Sequence, residues 1–127
     1  MATDMLRPCV RWLLTLAWMG LIFLLSAQPD LPHAHDPWLD TLLKKAAHAS
    51  VYGVLAGLYV WALRGKQPAS DQLRLLSLAL TLAYAASDEF HQSLVPGRHP
   101  SATDFLIDAT GATLALLLER WRSRSPR

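Results

Sequence analysis

Four apolar stretches alternate with short polar segments along the chain, and the lengths of the stretches carry the first structural reading. From Trp12 to Pro29 no side chain is charged, and Arg7 and Arg11 stand just before the run. An apolar run of about 18 or more residues is a candidate to cross a bilayer, so the pattern predicts a spanning helix near residues 10–27. A second uncharged run, Ala46 to Leu63, is entered through Lys44-Lys45 and left at Arg64-Gly65-Lys66, and predicts a helix over 45–64. Between them, the proline-rich acidic segment from Gln28 through Pro37 reads as a loop, with His33, His35, Asp36 and Asp40 on it. A secretory signal would share the basic start of the first helix. The apolar stretch is long for one, however, and the only small-residue context, Ser26-Ala27-Gln28, runs straight into Pro29.

The third and fourth runs are shorter. Leu75 to Ser87 and Ala109 to Leu118 hold about 13 and about 10 uncharged residues, rising about 20 Å and about 15 Å against hydrocarbon about 30 Å thick. Helices over 71–93 and 103–121 therefore span only if Asp88 and Asp108 lie below the membrane surface or the bilayer thins around them. An ionisable residue at that depth faces a partner or a water-filled cavity, which makes these two aspartates site candidates. Ser70 or Asp71 can cap the third helix, and Ser101-Ala102-Thr103-Asp104 has the form of a capping box opening the fourth.

Basic residues set the expected orientation. Arg7 and Arg11 precede the first helix, Arg64, Lys66 and Arg74 join the second to the third, and Arg120, Arg122, Arg124 and Arg127 follow the fourth. The positive-inside rule then puts both termini in the cytoplasm and the other loops outside. The predicted fold is all-α: one domain over residues 1–127, a polytopic four-helix membrane bundle. A soluble helical bundle is the alternative.

Composition agrees with a membrane chain: 52% of residues are hydrophobic and 17% charged. The net charge of +2 comes without a basic stripe that would follow a phosphate backbone, so nucleic acid is not expected as a partner. Cys9 is the only cysteine, which excludes an intrachain disulfide and a thiolate metal cluster. Neither HExxH nor a similar ligand spacing occurs, and His33 and His35 stand in a loop without a second ligand cluster, so no metal and no cofactor are expected. No P-loop, dinucleotide fingerprint or nucleophile elbow is present.

The polar segment from Ser87 to Asp108 carries the candidate chemistry. Asp88 and Gln92 share a helical face, with Glu89 beside them and Tyr84 one turn below. Carboxylates at a helix C-terminus meet the negative end of its dipole, and Arg98, brought back by the Pro96-Gly97 turn, is the expected counter-charge. On the second helix Lys45, His48 and Tyr52 point the same way, while Ala49, Gly53 and Gly57 form a smooth strip suited to close helix packing. The site expected at outer-leaflet depth, facing outward, thus comprises Lys45, His48, Tyr52, Asp88, Glu89, Gln92, Arg98, Ser101, Asp104 and Asp108. Asp104 also suits a first-turn acid, Lys45 a snorkelling anchor, and Asp108 a polar staple between helices.

These residues also carry a resemblance. Lys45-x-x-His48 with Tyr52 and Gly53, then Asp88-Glu89-x-x-Gln92 with Pro96-Gly97-Arg98, Ser101, Asp104 and the Gly111 helix, is similar to the VanZ-like family of small bacterial membrane proteins. Ser26-Ala27-Gln28-Pro29 resembles the family too. The chain departs from the pattern at Lys44, where an acid is frequent, and at Asp108, where asparagine is frequent. The resemblance implies a protein of the bacterial cell envelope, in a family named for a member linked to low-level resistance to the glycopeptide teicoplanin.

Three functions follow as expectations. The first is a non-enzymatic protein of the cytoplasmic membrane that binds a lipid headgroup, a cell-wall precursor or a lipophilic glycopeptide and alters antibiotic susceptibility. The second is a small membrane enzyme acting on such a lipid, with His48 and Asp88 or Glu89 as acid and base. The third is a structural or partner-binding protein whose polar cluster only holds helices together. The sequence sets no oligomeric state.

Overall fold

The computed structural model describes residues 2–28 and 34–126, with side chains of the first helix described from Arg7 onward. It is all-α, as expected. The described residues form α1 (Ala2–Ser26), α2 (Pro37–Leu63), α3 (Asp71–Ser93) and α4 (Ala102–Arg124), and contain no strand. Three of the starts are fixed by side-chain caps. Asp36 accepts from the Trp38 amide at 2.9 Å with Pro37 opening α2, Ser70 from the Leu73 amide at 3.1 Å, and Ser101 from the Asp104 amide at 3.1 Å. Between α3 and α4, Gly97 takes a φ of +81°, a conformation open to glycine at little cost, and so turns the chain back.

The main departure from expectation is the start of α2, at Pro37 and not near Lys45. The Asp36 cap begins the helix before its charged residues end. Asp40 therefore lies in the first turn, accepting from the Ala34 amide at 3.0 Å and pairing with Lys44 at 2.8 Å. His35 and Asp36 stay in the loop, while His33 is outside the described residues. Likewise α1 and α4 run beyond their uncharged cores, because polar residues propagate a helix once it is nucleated.

The α2 and α4 backbones come nearly into contact. A Cβ placed on Gly111 would stand 2.1 Å from the Ala49 carbonyl oxygen and 2.6 Å from its Cα. One placed on Gly53 would stand 3.1 Å from the Gly111 oxygen and 3.4 Å from Ala115 Cβ. Two members of the expected smooth strip, Ala49 and Gly53, are thus part of the crossing. The third, Gly57, has nothing within 4 Å of its notional Cβ.

The bundle buries an apolar cluster of Ile22, Tyr52, Leu55, Tyr59 and Ala85 and, beside it, a set of polar side chains, while many large apolar ones lie outside. Buried positions include Thr15, Ser77, Thr81, Arg74, Asp88, Gln92 and Asp108, whereas Leu13, Leu16 and Leu24 of α1, Phe90 of α3 and Leu106, Leu114 and Trp121 of α4 face outward. Two segments, Arg7–Ser26 and Pro37–Leu63, are long and apolar enough to cross a membrane.

The basic segments gather at one end. Arg11 donates to the Trp61 carbonyl at 3.1 Å and to that of Gly65, with its guanidinium 5.3 Å from the Trp61 ring centre. Buried Arg74 donates to Glu119 at 2.5 Å, Asp71 at 2.9 Å and Ser123 at 3.0 Å. These bonds tie the starts of α1 and α3 to the ends of α2 and α4, so the helices alternate in direction and the carboxylate-rich segments share the opposite end.

The α2–α4 crossing gives a direct test. Gly111→Ala must separate the two backbones and is expected to cost about 1–3 kcal/mol or more, as overpacking does. Gly57→Ala meets open space inside a helix and should be neutral or stabilising by up to about 1 kcal/mol. Thermal unfolding of both variants in detergent, followed by circular dichroism, measures the contrast.

Candidate functional site

At the end opposite Arg74, each helix contributes polar side chains. His48 and Tyr52 lie one turn apart on α2 and so face the same way. Tyr52, 1% exposed, donates its hydroxyl to Asp88 Oδ2 of α3 at 2.7 Å. Gln92, one turn beyond Asp88, donates to the same oxygen at 3.2 Å and reaches Ser26 Oγ of α1 at 3.4 Å. One carboxylate therefore links α1, α2 and α3. A second joins α2 to α4: His48 Nδ1 stands 3.1 Å from Oδ1 of Asp108, itself 1% exposed. An ionised carboxylate only accepts, so Nδ1 carries the proton in this pairing.

Local sequence explains this geometry. Gly111 lies near one helical turn after Asp108 and admits Ala49, the residue after His48, against the α4 backbone. With the backbones this close, a short aspartate reaches the imidazole. A cavity of about 120 Å³ opens beside these groups, lined by Ile22, Leu25 and Ser26 of α1, Ala47, His48, Val51 and Tyr52 of α2, Asp88, and Arg98 from the turn. A shallower groove of about 520 Å³ lies between α3 and the start of α4, with Glu89, Phe90, Ser101 and Phe105 in its wall.

The ten residues picked from the sequence take different places. His48, Tyr52, Asp88 and Arg98 line the cavity, with Gln92 and Asp108 bonded directly behind it. Glu89 and Ser101 line the shallower groove, and Ser101 is the α4 cap. Asp104 acts electrostatically on both His48 and Glu89 from the first turn of α4. Lys45 lines neither space.

Two expected pairings are different here. The carboxylate on His48 is Asp108, not Asp88 or Glu89, because the α2–α4 crossing is closer than the α2–α3 one. Arg98 lines the cavity without an ion pair among the described residues, so it is a cation facing space and not a neutralised counter-charge. Both Glu89 oxygens and Asp108 Oδ2 are buried without a hydrogen-bond partner. Ser26, at the end of α1, is a further member, beyond the ten expected. Its only signal was the Ser26-Ala27-Gln28-Pro29 segment at the end of the first apolar run.

Chemically, the arrangement offers a cationic Arg98 and an imidazole oriented by a carboxylate, both facing one small cavity. Among the described residues no group of three or more His, Cys, Asp or Glu side chains could hold a metal ion.

The family model described as VanZ/LLP1 matches residues 11–122. The chain belongs to the VanZ/LLP1 family. The match covers nearly all of the four helices and every residue of the site, and together with the two apolar helices it is consistent with a membrane protein. Comparisons with curated proteins and with solved structures return no match. Of the cavity lining of this VanZ/LLP1 chain, Ser26, His48, Tyr52, Asp88 and Arg98 are among the residues that carry the family resemblance, and Asp108, a departure from the pattern, makes the contact to His48.

The Tyr52–Asp88 bond is open to a double-mutant cycle. Tyr52→Phe leaves Asp88 with one donor fewer and is expected to cost about 1–3 kcal/mol. Combined with Asp88→Asn, the effects should be non-additive by about 0.5–3 kcal/mol in detergent unfolding, and strict additivity would contradict the bond.

Proposed function

We propose that this VanZ/LLP1 protein is a four-helix integral protein of the bacterial cytoplasmic membrane whose outward cavity binds the anionic headgroup of a lipid or lipid-linked cell-wall precursor. The single observation that carries the reading is the cavity itself. About 120 Å³ is bounded by apolar α1 side chains on one side and by His48, Tyr52, Asp88 and Arg98 on the other, within a bundle whose exterior is leucine-rich. An unpaired guanidinium beside an imidazole suits a phosphate or carboxylate. Drug-sized ligands occupy pockets of roughly 300–1,000 Å³. An intact glycopeptide is too large for this one, so any effect on teicoplanin susceptibility runs through the bound lipid or precursor. The outward orientation rests on the positive-inside rule, with the Arg11 and Arg74 end cytoplasmic. Partly apolar α3 and α4 then cross the bilayer with their polar ends drawn inward over the site.

One observation favours a second reading. His48 paired with buried Asp108 has the form of a general base held by a carboxylate, with the ring at the cavity wall. In that reading the same headgroup is the substrate of a hydrolytic or transfer reaction.

Drug susceptibility separates these ideas from a purely structural role. Expression of the chain in a bacterium is expected to shift the teicoplanin concentration needed to inhibit growth. Arg98→Gln and Asp88→Asn should abolish the shift while membrane levels of the protein hold. Loss of the protein itself in both variants would leave the polar cluster as a helix staple. Turnover of a labelled lipid-linked precursor by purified protein, lost in His48→Ala, would convert the binder into an enzyme.

A further inference from the structure

At the Arg74 end of the bundle, away from the His48–Asp88 cavity, a groove of about 300 Å³ runs between α3 and α4. Leu75, Leu78, Leu116 and Leu117 form its walls, and Asp71, Arg74 and Arg120 close one end. Leu75 is 66% exposed and Leu117 53%, so the groove opens sideways to whatever surrounds the bundle. The charges at its end do not balance. Arg74, Arg120 and Arg124 all contact Asp71, at 2.9, 2.9 and 3.5 Å, and Arg74 also pairs with Glu119 at 2.5 Å. Three guanidiniums therefore share two carboxylates and leave a positive charge in excess. Arg120 has donor capacity to spare: its side chain is 40% exposed, Nη2 donates to Asp71 at 2.9 Å, and Nε, itself buried, has no hydrogen-bond partner. The exposed part of this guanidinium can take an anionic oxygen delivered along the groove.

We infer that this groove is a binding site for an anionic phospholipid, with the phosphate on Arg120 and an acyl chain laid along Leu75, Leu78, Leu116 and Leu117. Free phosphate would meet the same guanidinium, but it has no use for a leucine-walled channel leading away from it. A zwitterionic lipid would bring its own positive charge to a cluster already in cationic excess. Basic pockets between helices at the cytoplasmic membrane face recognise anionic headgroups by this combination. The inference rests on the membrane reading proposed above but not on the outer cavity.

The test uses full-length protein in detergent carrying Arg98→Gln, which silences the outer cavity, with lipid adducts counted by native mass spectrometry. The probes are phosphatidylglycerol, phosphatidylcholine and inorganic phosphate. Phosphatidylglycerol should be retained at least about fivefold more strongly than phosphatidylcholine, and Arg120→Gln should remove that preference, the factor expected for one guanidinium near a membrane surface. Leu117→Trp, which fills the groove and leaves every charge in place, should lower phosphatidylglycerol retention too, so the result survives a folding defect in the arginine variant. Equal retention of both lipids, or retention unchanged in both variants, overturns the inference. Displacement of phosphatidylglycerol by an equal concentration of inorganic phosphate also overturns it, since the acyl chain would then contribute nothing. Carbonate extraction run in parallel keeps the two readings apart. A chain that stays in the membrane but ignores phosphatidylglycerol contradicts only the groove, whereas a chain released by carbonate contradicts the membrane reading and the inference with it.

Discussion

The near contact of the α2 and α4 backbones at Gly111 and Ala49 sets the geometry of everything above it. Association of apolar helices draws little from the hydrophobic effect once the surroundings are as greasy as the helices, so close packing and hydrogen bonds between them carry the weight. With no Cβ on Gly111, the Ala49 carbonyl sits where that atom would be. His48, the neighbour of Ala49, is thereby brought to Asp108 at 3.1 Å. One turn further along α2, Tyr52 meets Asp88 at 2.7 Å. A wider crossing would leave Asp108 buried without its His48 donor, which is the costlier state.

The two ends of the bundle solve different problems with the same tools. At one end, guanidiniums tie α1 to α2 and α3 to α4, and long arginine side chains bridge helices that need not touch. At the other, short side chains bridge helices that do. Most buried polar atoms in both places are satisfied. Among the described residues the exceptions are Arg120 Nε, Asp108 Oδ2 behind His48, His91 Nδ1 and both Glu89 oxygens. In a bundle that otherwise pairs its buried charges, the residues that carry such leftover atoms and also line a cavity or groove are where a ligand would be felt most.

The sequence made the helices legible because an uncharged run of sufficient length has few other uses, and the caps at Ser70 and Ser101 could be read from single residues. It misplaced the start of α2, since a run of uncharged residues locates the apolar middle of a helix and not its polar first turns. The site was legible as a set of residues but not as a set of pairs. Periodicity puts His48 and Tyr52 on one face, yet nothing in it says that α4 approaches more closely than α3, which is what gives His48 to Asp108. Arg98 was expected to neutralise the carboxylates. The Pro96-Gly97 turn that returns it toward the site is visible in the sequence, but whether the guanidinium then meets a carboxylate or faces the cavity depends on how the turn exits α3, which is a three-dimensional property. Arg74 read only as one more basic residue, because its partners Glu119 and Ser123 are distant in the chain.

The claim on which the account rests is that the His48–Asp88–Arg98 cluster lies at the outer face of a membrane bundle. Cysteine accessibility in intact cells tests it most directly. The only native cysteine, Cys9, is replaced by alanine, and single cysteines are placed at His99, beside the Arg98 turn, and at Gln67, between α2 and α3; both positions are exposed. A membrane-impermeant maleimide should label His99→Cys in intact cells and Gln67→Cys only after lysis. Labelling of Gln67→Cys but not His99→Cys in intact cells, or protection of both until lysis, would contradict the account.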